Sequence, residues 1–166
     1  MRKYIYIALI SASVVTLNGC KVLSNQEKTA GNYTYKTECL GVEGDGTQTV
    51  KAWGKGRNNF DAYAQARKNA VNDVIFKGIS DGTSECDMRP LVPEVNARQK
   101  YEDYFNNFFK DGGEYRKYVS MKDEQLEHRI DREKKEGIGT VTLSAVIVVK
   151  RPQLKAKLIA DGILQR

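Results

Sequence analysis

Two periodicities organise the chain. In residues 140–150, Val141, Leu143, Ala145, Ile147 and Val149 recur at every second position, which is the spacing of one face of a β-strand. Val146 and Val148 on the opposite face predict a central place in a sheet. Between Phe60 and Ile75 the spacing is helical instead. Ala62, Ala66, Ala70 and Val74 lie four apart, with Phe60, Tyr63, Val71 and Ile75 beside them. Asn58 or Asn59 is placed to cap this helix, Asp61 complements its positive end, and Gly78 closes it. A row of alanines lets a helix backbone approach a sheet closely, and packing against a partner helix is the other use of such a stripe.

The same reasoning predicts the remaining elements. Tyr33 to Val42 and Thr47 to Gly56 are β-prone runs on either side of Glu43-Gly44-Asp45-Gly46, and an Asp-Gly in that place signals a hairpin. Pairing across it puts Tyr35, Thr37 and Cys39 on one face with Val50 and Ala52. Residues 80–93 form a loop carrying Cys86, Pro90 and Pro93. A second helix is expected from Asn96 to about Lys110, ended by Asp111-Gly112-Gly113, and a short strand over 115–121. Residues 123–135 fit either a helix or a charged edge strand. The strand is preferred, because Gly137-Ile138-Gly139 then turns it into the strand at 140–150. Pro152 starts a short helix in which Leu154 and Leu158 stack, with Gly162 past its end and Ile163 packing back. The expected fold is α+β: an antiparallel sheet of about four or five strands, with the long alanine-rich helix, an aromatic helix and a short C-terminal helix packed on one face.

The N-terminus follows neither period. Arg2 and Lys3 precede an uncharged, largely apolar run from Ile5 to Leu17. The run is shorter than the roughly 20 apolar residues that span a bilayer and suits the core of a secretory signal. Leu17-Asn18-Gly19-Cys20 follows, with an apolar residue at −3 and a small one at −1 of a cysteine, as in a lipobox; Asn18 departs from the usual small residue. Residues 1–19 are therefore expected to be a lipoprotein signal peptide and Cys20 the lipidated first residue. The competing readings are a secreted protein cut nearby and an N-terminal membrane anchor. Residues 20–31 are polar and aperiodic, a tether to a single domain over 32–166. No acidic residue precedes Glu27 after the cysteine, which favours the outer membrane.

Composition then narrows the function. The net charge is +6, of which Arg2 and Lys3 supply two. Basic and acidic residues are interspersed, as in Asp123-Glu124-Gln125-Leu126-Glu127-His128-Arg129, whereas a nucleic-acid surface needs a contiguous basic stripe. With Cys20 lipidated, Cys39 and Cys86 remain. In an oxidising compartment the pair is read as a disulfide, the alternative being two buried free thiols. His128, the sole histidine, has no cysteine or histidine at ligand spacing, so no metal or cofactor is expected. Gly54 and Gly56 with Lys55 and Arg57 could hold an anion at a helix start, but no phosphate-loop or dinucleotide glycine pattern fits. Asp131 with Glu133, and Asp123 with Glu124, lie in strongly charged stretches where solvation explains them.

Val50-Lys51-Ala52-Trp53-Gly54-Lys55-Gly56, the alanine helix after it, and the late strand followed by Leu154 to Leu164 resemble a set of bacterial lipoproteins. These include the Helicobacter Lpp-twenty lipoproteins and the N-terminal domain of flagellar assembly protein T; the anchor and composition resemble Bacteroidetes lipoproteins of that plan. The resemblance covers about residues 47–79 and 138–164, and the aromatic helix and the hairpin before it depart from it. It implies an α+β fold and a structural or adaptor role in the cell envelope, and transfers no catalytic residue.

The chain is thus expected to be a non-enzymatic, membrane-anchored envelope lipoprotein that docks to another envelope protein. The alternative is a binding module for a glycan or peptide. Tyr101, Tyr104, Phe105, Phe108 and Phe109 crowd one short helix. One stripe cannot bury all five, so Tyr101, Tyr104 and Phe109 are the candidate partner-binding residues, with Tyr104 expected at the surface. A purely structural aromatic layer is the other reading.

Overall fold

The computed structural model describes residues 35–121, 135–137 and 140–165, all within one compact unit, Tyr33–Arg166. The hairpin forms where the turn residues put it. Strands β1 (Glu38–Val42) and β2 (Gln48–Gly56) pair antiparallel, with Cys39 opposite Val50. Gly46 N–H donates to the Glu43 carbonyl at 2.8 Å, and the Asp45 carboxylate accepts from the Thr47 amide and hydroxyl. Tyr35 departs from the expected face: its ring packs edge-on against Trp53, centroids 5.2 Å apart, and Trp53 alternates away from Val50 and Ala52.

Helix α1 (Asn59–Phe76) is capped by Asn58, whose side chain accepts from the Asp61 amide at 2.9 Å. Ala62, Ala66 and Ala70 are fully buried. A Cβ at Gly54 would overlap the Ala62 carbonyl oxygen and the Ala66 amide nitrogen, so the helix backbone rests directly on β2. Phe60, expected beside the apolar series, is instead 84% exposed, because the helical turn angle carries its side chain well away from the face that holds Ala62, Ala66 and Ala70. Gly78, at φ +74°, ends the helix as its amide bonds to the Asp73 carbonyl.

The loop after α1 is tied down. Leu91 and Val92 amides bond to the Val74 and Ile75 carbonyls, and Cys86 is joined to Cys39 by a disulfide with Cα atoms 5.8 Å apart. A two-residue strand, β3 (Asp81–Gly82), pairs parallel with β1. The sheet is therefore mixed rather than purely antiparallel, and the disulfide holds that contact in place. With its ends 47 residues apart, the bridge stabilises by about 4 kcal/mol in the chain-entropy picture.

The expected helix over 96–110 is two helices, α2 (Ala97–Lys100) and α3 (Glu102–Phe109), broken at Tyr101, which leaves helical geometry at φ −114°, ψ 38°. A 3₁₀ turn, Glu114–Tyr118, occupies most of the strand expected at 115–121, and only β4 (Val119–Met121) pairs. Strands β5 (Lys135–Gly137) and β6 (Thr140–Val149) complete a sheet of order β3-β1-β2-β6-β4, with β5 also on β6. Residues 122–134, with His128 and the carboxylate pairs considered above, lie outside the described residues, as do residues 1–34.

Strand β6 is central, flanked by β2 on one edge and by β4 and β5 on the other. Its Leu143, Ala145, Ile147 and Val149 are buried in one core with Val50, Ala52 and the alanines of α1. Helix α4 (Arg151–Ala160) starts with Pro152 in its first turn and buries Leu154 and Leu158. Its end is a Schellman arrangement: Gly162 is at φ +72°, and the Ile163 amide bonds to the Leu158 carbonyl at 2.9 Å.

Candidate functional site: a cleft beside the aromatic helix

The rings of α3 sort by depth. Phe105 and Phe108 are 2% and 3% exposed, while Tyr101, Tyr104 and Phe109 are half-buried. Phe105 meets Phe76 of α1 edge-on, centroids 4.7 Å apart, and Phe108 stacks between Tyr104 and Tyr118. After α3 the chain reverses through Gly112, at φ +75°, into the 3₁₀ turn. The reversal leaves a cleft of about 430 Å³ lined by Tyr104, Asn107, Phe108, Lys110, Gly112, Gly113 and Glu114. It combines an aromatic wall with a few polar groups, the ordinary composition of a small binding site.

A relay of charged groups runs along one side of the cleft. The Tyr104 hydroxyl donates to Asp161 Oδ2 at 2.6 Å. Lys157 Nζ reaches Asp161 Oδ1 at 3.0 Å and Glu114 Oε2 at 3.2 Å, and Lys117 Nζ reaches Glu114 Oε1 at 3.0 Å. Burial, then the negative Asp161, push the Tyr104 hydroxyl well above the ordinary tyrosine range. Burial raises Asp161, but the Tyr104 and Lys157 hydrogen bonds outweigh it and hold the carboxyl below its usual value. Hydrogen bonds from Lys117 and Lys157 lower Glu114, and those to Asp161 and Glu114 raise Lys157. All four shifts lead away from neutrality, whereas a proton-transfer catalyst needs a group poised near the working pH. The relay is suited to presenting fixed donors and acceptors to a ligand.

The sequence-predicted residues do not converge. Of the three candidate partner-binding residues, Tyr104 alone lines the cleft, and it is anchored rather than freely exposed. Tyr101 sits at the helix break with Lys100 Nζ 5.1 Å from its ring centre, and Phe109 packs on Phe105, Phe108 and Tyr115. Cys20 lies outside the described residues. Cys39 and Cys86 are together, far along the chain from the cleft. At the start of α1, Arg57 pairs with Asp61 at 3.1 Å, and a side chain at Gly56 would strike Asp61 and Ala62. The glycines there serve helix packing. The cleft's Asn107, Lys110 and Glu114 and the distant Asp161 were not anticipated. Gly112-Gly113, read only as a helix stop, was the available signal.

Among the described residues no three His, Cys, Asp or Glu side chains gather as metal ligands, and no helix is long and apolar enough to cross a membrane. Compared with known proteins, the chain matches no family model, no curated protein and no solved structure.

Proposed function

We propose that the protein is a lipid-anchored, non-enzymatic module of the bacterial cell envelope, held at the outer membrane through Cys20 and serving as a structural or assembly adaptor for another envelope protein. The division of the three cysteines carries this reading. Cys39 and Cys86 are joined to each other, as befits an oxidising compartment. Cys20 is left over, immediately after an uncharged apolar run and the sequence Leu17-Asn18-Gly19. An acylated cysteine there gains about 0.8 kcal/mol for each buried CH₂, and several chains make a durable tether.

The test is Cys20→Ala in the full chain. The unaltered protein takes up labelled palmitate and fractionates with the outer membrane. The variant takes up none and accumulates as precursor; labelling that survives the substitution overturns the reading.

The cleft favours a second reading, capture of a glycan or peptide. Such a ligand shifts the NMR signals of Asn107 and Gly112 on titration, whereas a partner docking elsewhere leaves them unmoved.

A further inference from the structure

The sequence holds four Asp–Gly dipeptides, Asp45-Gly46, Asp81-Gly82, Asp111-Gly112 and Asp161-Gly162, and in each the glycine takes a positive φ, between +72° and +93°. An aspartate before glycine is open to attack on its own side chain, because glycine has no Cβ to shield its amide nitrogen. Three of the four are held. The Asp45 carboxylate accepts from the Thr47 amide and hydroxyl, and the Gly46 amide donates to the Glu43 carbonyl. Asp81 and Gly82 pair with β1, and Gly82 lies so close to Cys39 that a Cβ would overlap the Cys39 carbonyl oxygen. Asp161 is bound by Tyr104 and Lys157, and the Gly162 amide donates to the Ile159 carbonyl. Asp111 and Gly112 differ. The Asp111 side chain is 98% exposed, and among the described residues nothing hydrogen-bonds to the peptide group that joins it to Gly112, at either the carbonyl or the N–H. A Cβ on Gly112 would meet nothing within 4 Å, so this peptide has room to rotate. The carboxylate is held by Lys68 of α1, whose Nζ lies 2.7 Å from Asp111 Oδ1.

We propose that Asp111 is a site of spontaneous modification, isomerising to β-linked aspartate, and that its ion pair with Lys68 restrains the reaction. The Gly112 amide nitrogen attacks Asp111 Cγ. A C–N bond forms, the C–OH bond of the protonated carboxyl breaks, and the hydroxyl leaves with the amide proton as one water. The product is a five-membered succinimide. Water then adds back to the ring. Opening of the new C–N bond restores the original aspartate, whereas opening of the old main-chain bond leaves the chain running through Cγ, with the carboxylate set directly on the α-carbon. Water is lost and regained, so no oxidant, reductant or enzyme is needed. A site that is already open reacts without first paying for local unfolding, which the three held sites must do. Lys68 opposes the reaction, because its hydrogen bond holds the Asp111 carboxyl below its usual value, and an ionised carboxylate has no good leaving group. The outcome bears on the cleft: Gly112 and Gly113 line it, so the added main-chain methylene enters its wall.

The four dipeptides serve as one another's controls. The full-length protein is purified in detergent and held at neutral pH and physiological temperature for weeks. Samples are then digested with a protease that cuts before aspartate but not before its β-linked form, and the peptides are mapped by mass spectrometry. Transfer of a labelled methyl group by isoaspartyl methyltransferase confirms each β-linkage. Isomerisation is expected at Asp111 at least about tenfold ahead of Asp45, Asp81 and Asp161 in the folded protein, and at similar rates at all four in urea. Lys68→Gln is expected to speed the reaction at Asp111 by about two- to fivefold, the range for loss of an exposed ion pair, and to leave the other three sites unchanged. Lys117→Gln removes the same charge from the neighbouring 3₁₀ turn and leaves the Asp111 rate as it was. A variant that merely unfolds raises all four sites together, which separates it from the expected result. Folded protein in which Asp111 reacts no faster than the other three, or stays intact while the unfolded chain isomerises, overturns the site. A Lys68→Gln rate equal to that of the unaltered protein overturns the restraint.

Discussion

Helices α1 and α3 bury themselves in the same core by opposite means. Helix α1 presents alanines, and β2 presents Gly54 to it, so that main chain meets main chain with no side chain between. Helix α3 presents rings, and its backbone is held off by Phe105 and Phe108. One contact depends on atoms that are absent and the other on atoms that are present. The consequence for function is that the rings of α3 and the reversal after them leave the cleft at Tyr104 and Glu114. A site can form only where packing is incomplete.

The largest effect is expected at the ring that joins the two helices. Phe105 is 2% exposed and touches Phe76 of α1. Phe105→Ala should cost about 4 kcal/mol through lost burial and the cavity left behind, while Phe60→Ser, at an 84% exposed ring, stays within about 0.5 kcal/mol. Urea denaturation of both variants measures this. A small loss at Phe105 would mean that the cluster is surface, not core.

The mirror experiment adds an atom to α1's side. Gly54→Ala places a Cβ into the backbone of α1, where no rotamer change relieves it, and should cost about 3 kcal/mol, the upper end for overpacking. Gly44→Ala, whose added Cβ meets nothing within 4 Å, serves as the control and is expected to be close to neutral. Equal melting temperatures for the two variants would show that the close approach of α1 to β2 is not needed.

The contrast also explains what the sequence disclosed. The α1 contact was legible because it is periodic: the alanines recur four apart along the helix, although the part played by Gly54 was not. The alternation in β6 was legible for the same reason, and so was the hairpin that puts Cys39 on one face with Val50 across a short turn. Features made by distant residues were not. The parallel contact of β3 with β1 spans only two residues and has no periodicity to reveal it. The break at Tyr101 has no proline or glycine to mark it. The relay beside the cleft depends on Tyr104 meeting Asp161, 57 positions away, which only the folded α4 brings about. Even the depth of Tyr104 was concealed, since helical spacing locates it beside the buried face without showing that α4 covers it.

That meeting gives the smallest of these effects and the one closest to the candidate site. Tyr104→Phe keeps the ring against Phe105 and Phe108 and removes only the hydroxyl that donates to Asp161. A hydrogen bond to a charged group contributes about 1.5–3 kcal/mol; partial exposure screens this one, so about 1 kcal/mol is expected at neutral pH. The pH dependence identifies the cause. Folding raises the Tyr104 pKa, so the protonated hydroxyl is favoured in the native state. Its contribution is complete below the ordinary tyrosine value of about 10 and is lost as pH rises beyond it. Folding lowers the Asp161 pKa, so its contribution is complete above the ordinary carboxylate value of about 4 and is lost as pH falls through the depressed one. The unaltered protein should therefore lose stability at both extremes, more steeply than Tyr104→Phe at the alkaline end. At the acid end the variant retains part of the loss, because Lys157 still holds Asp161 at 3.0 Å. Chemical denaturation across the pH range measures the two profiles. Parallel curves would show that the Tyr104 hydroxyl is not coupled to Asp161, and the relay along the cleft would then begin at Lys157.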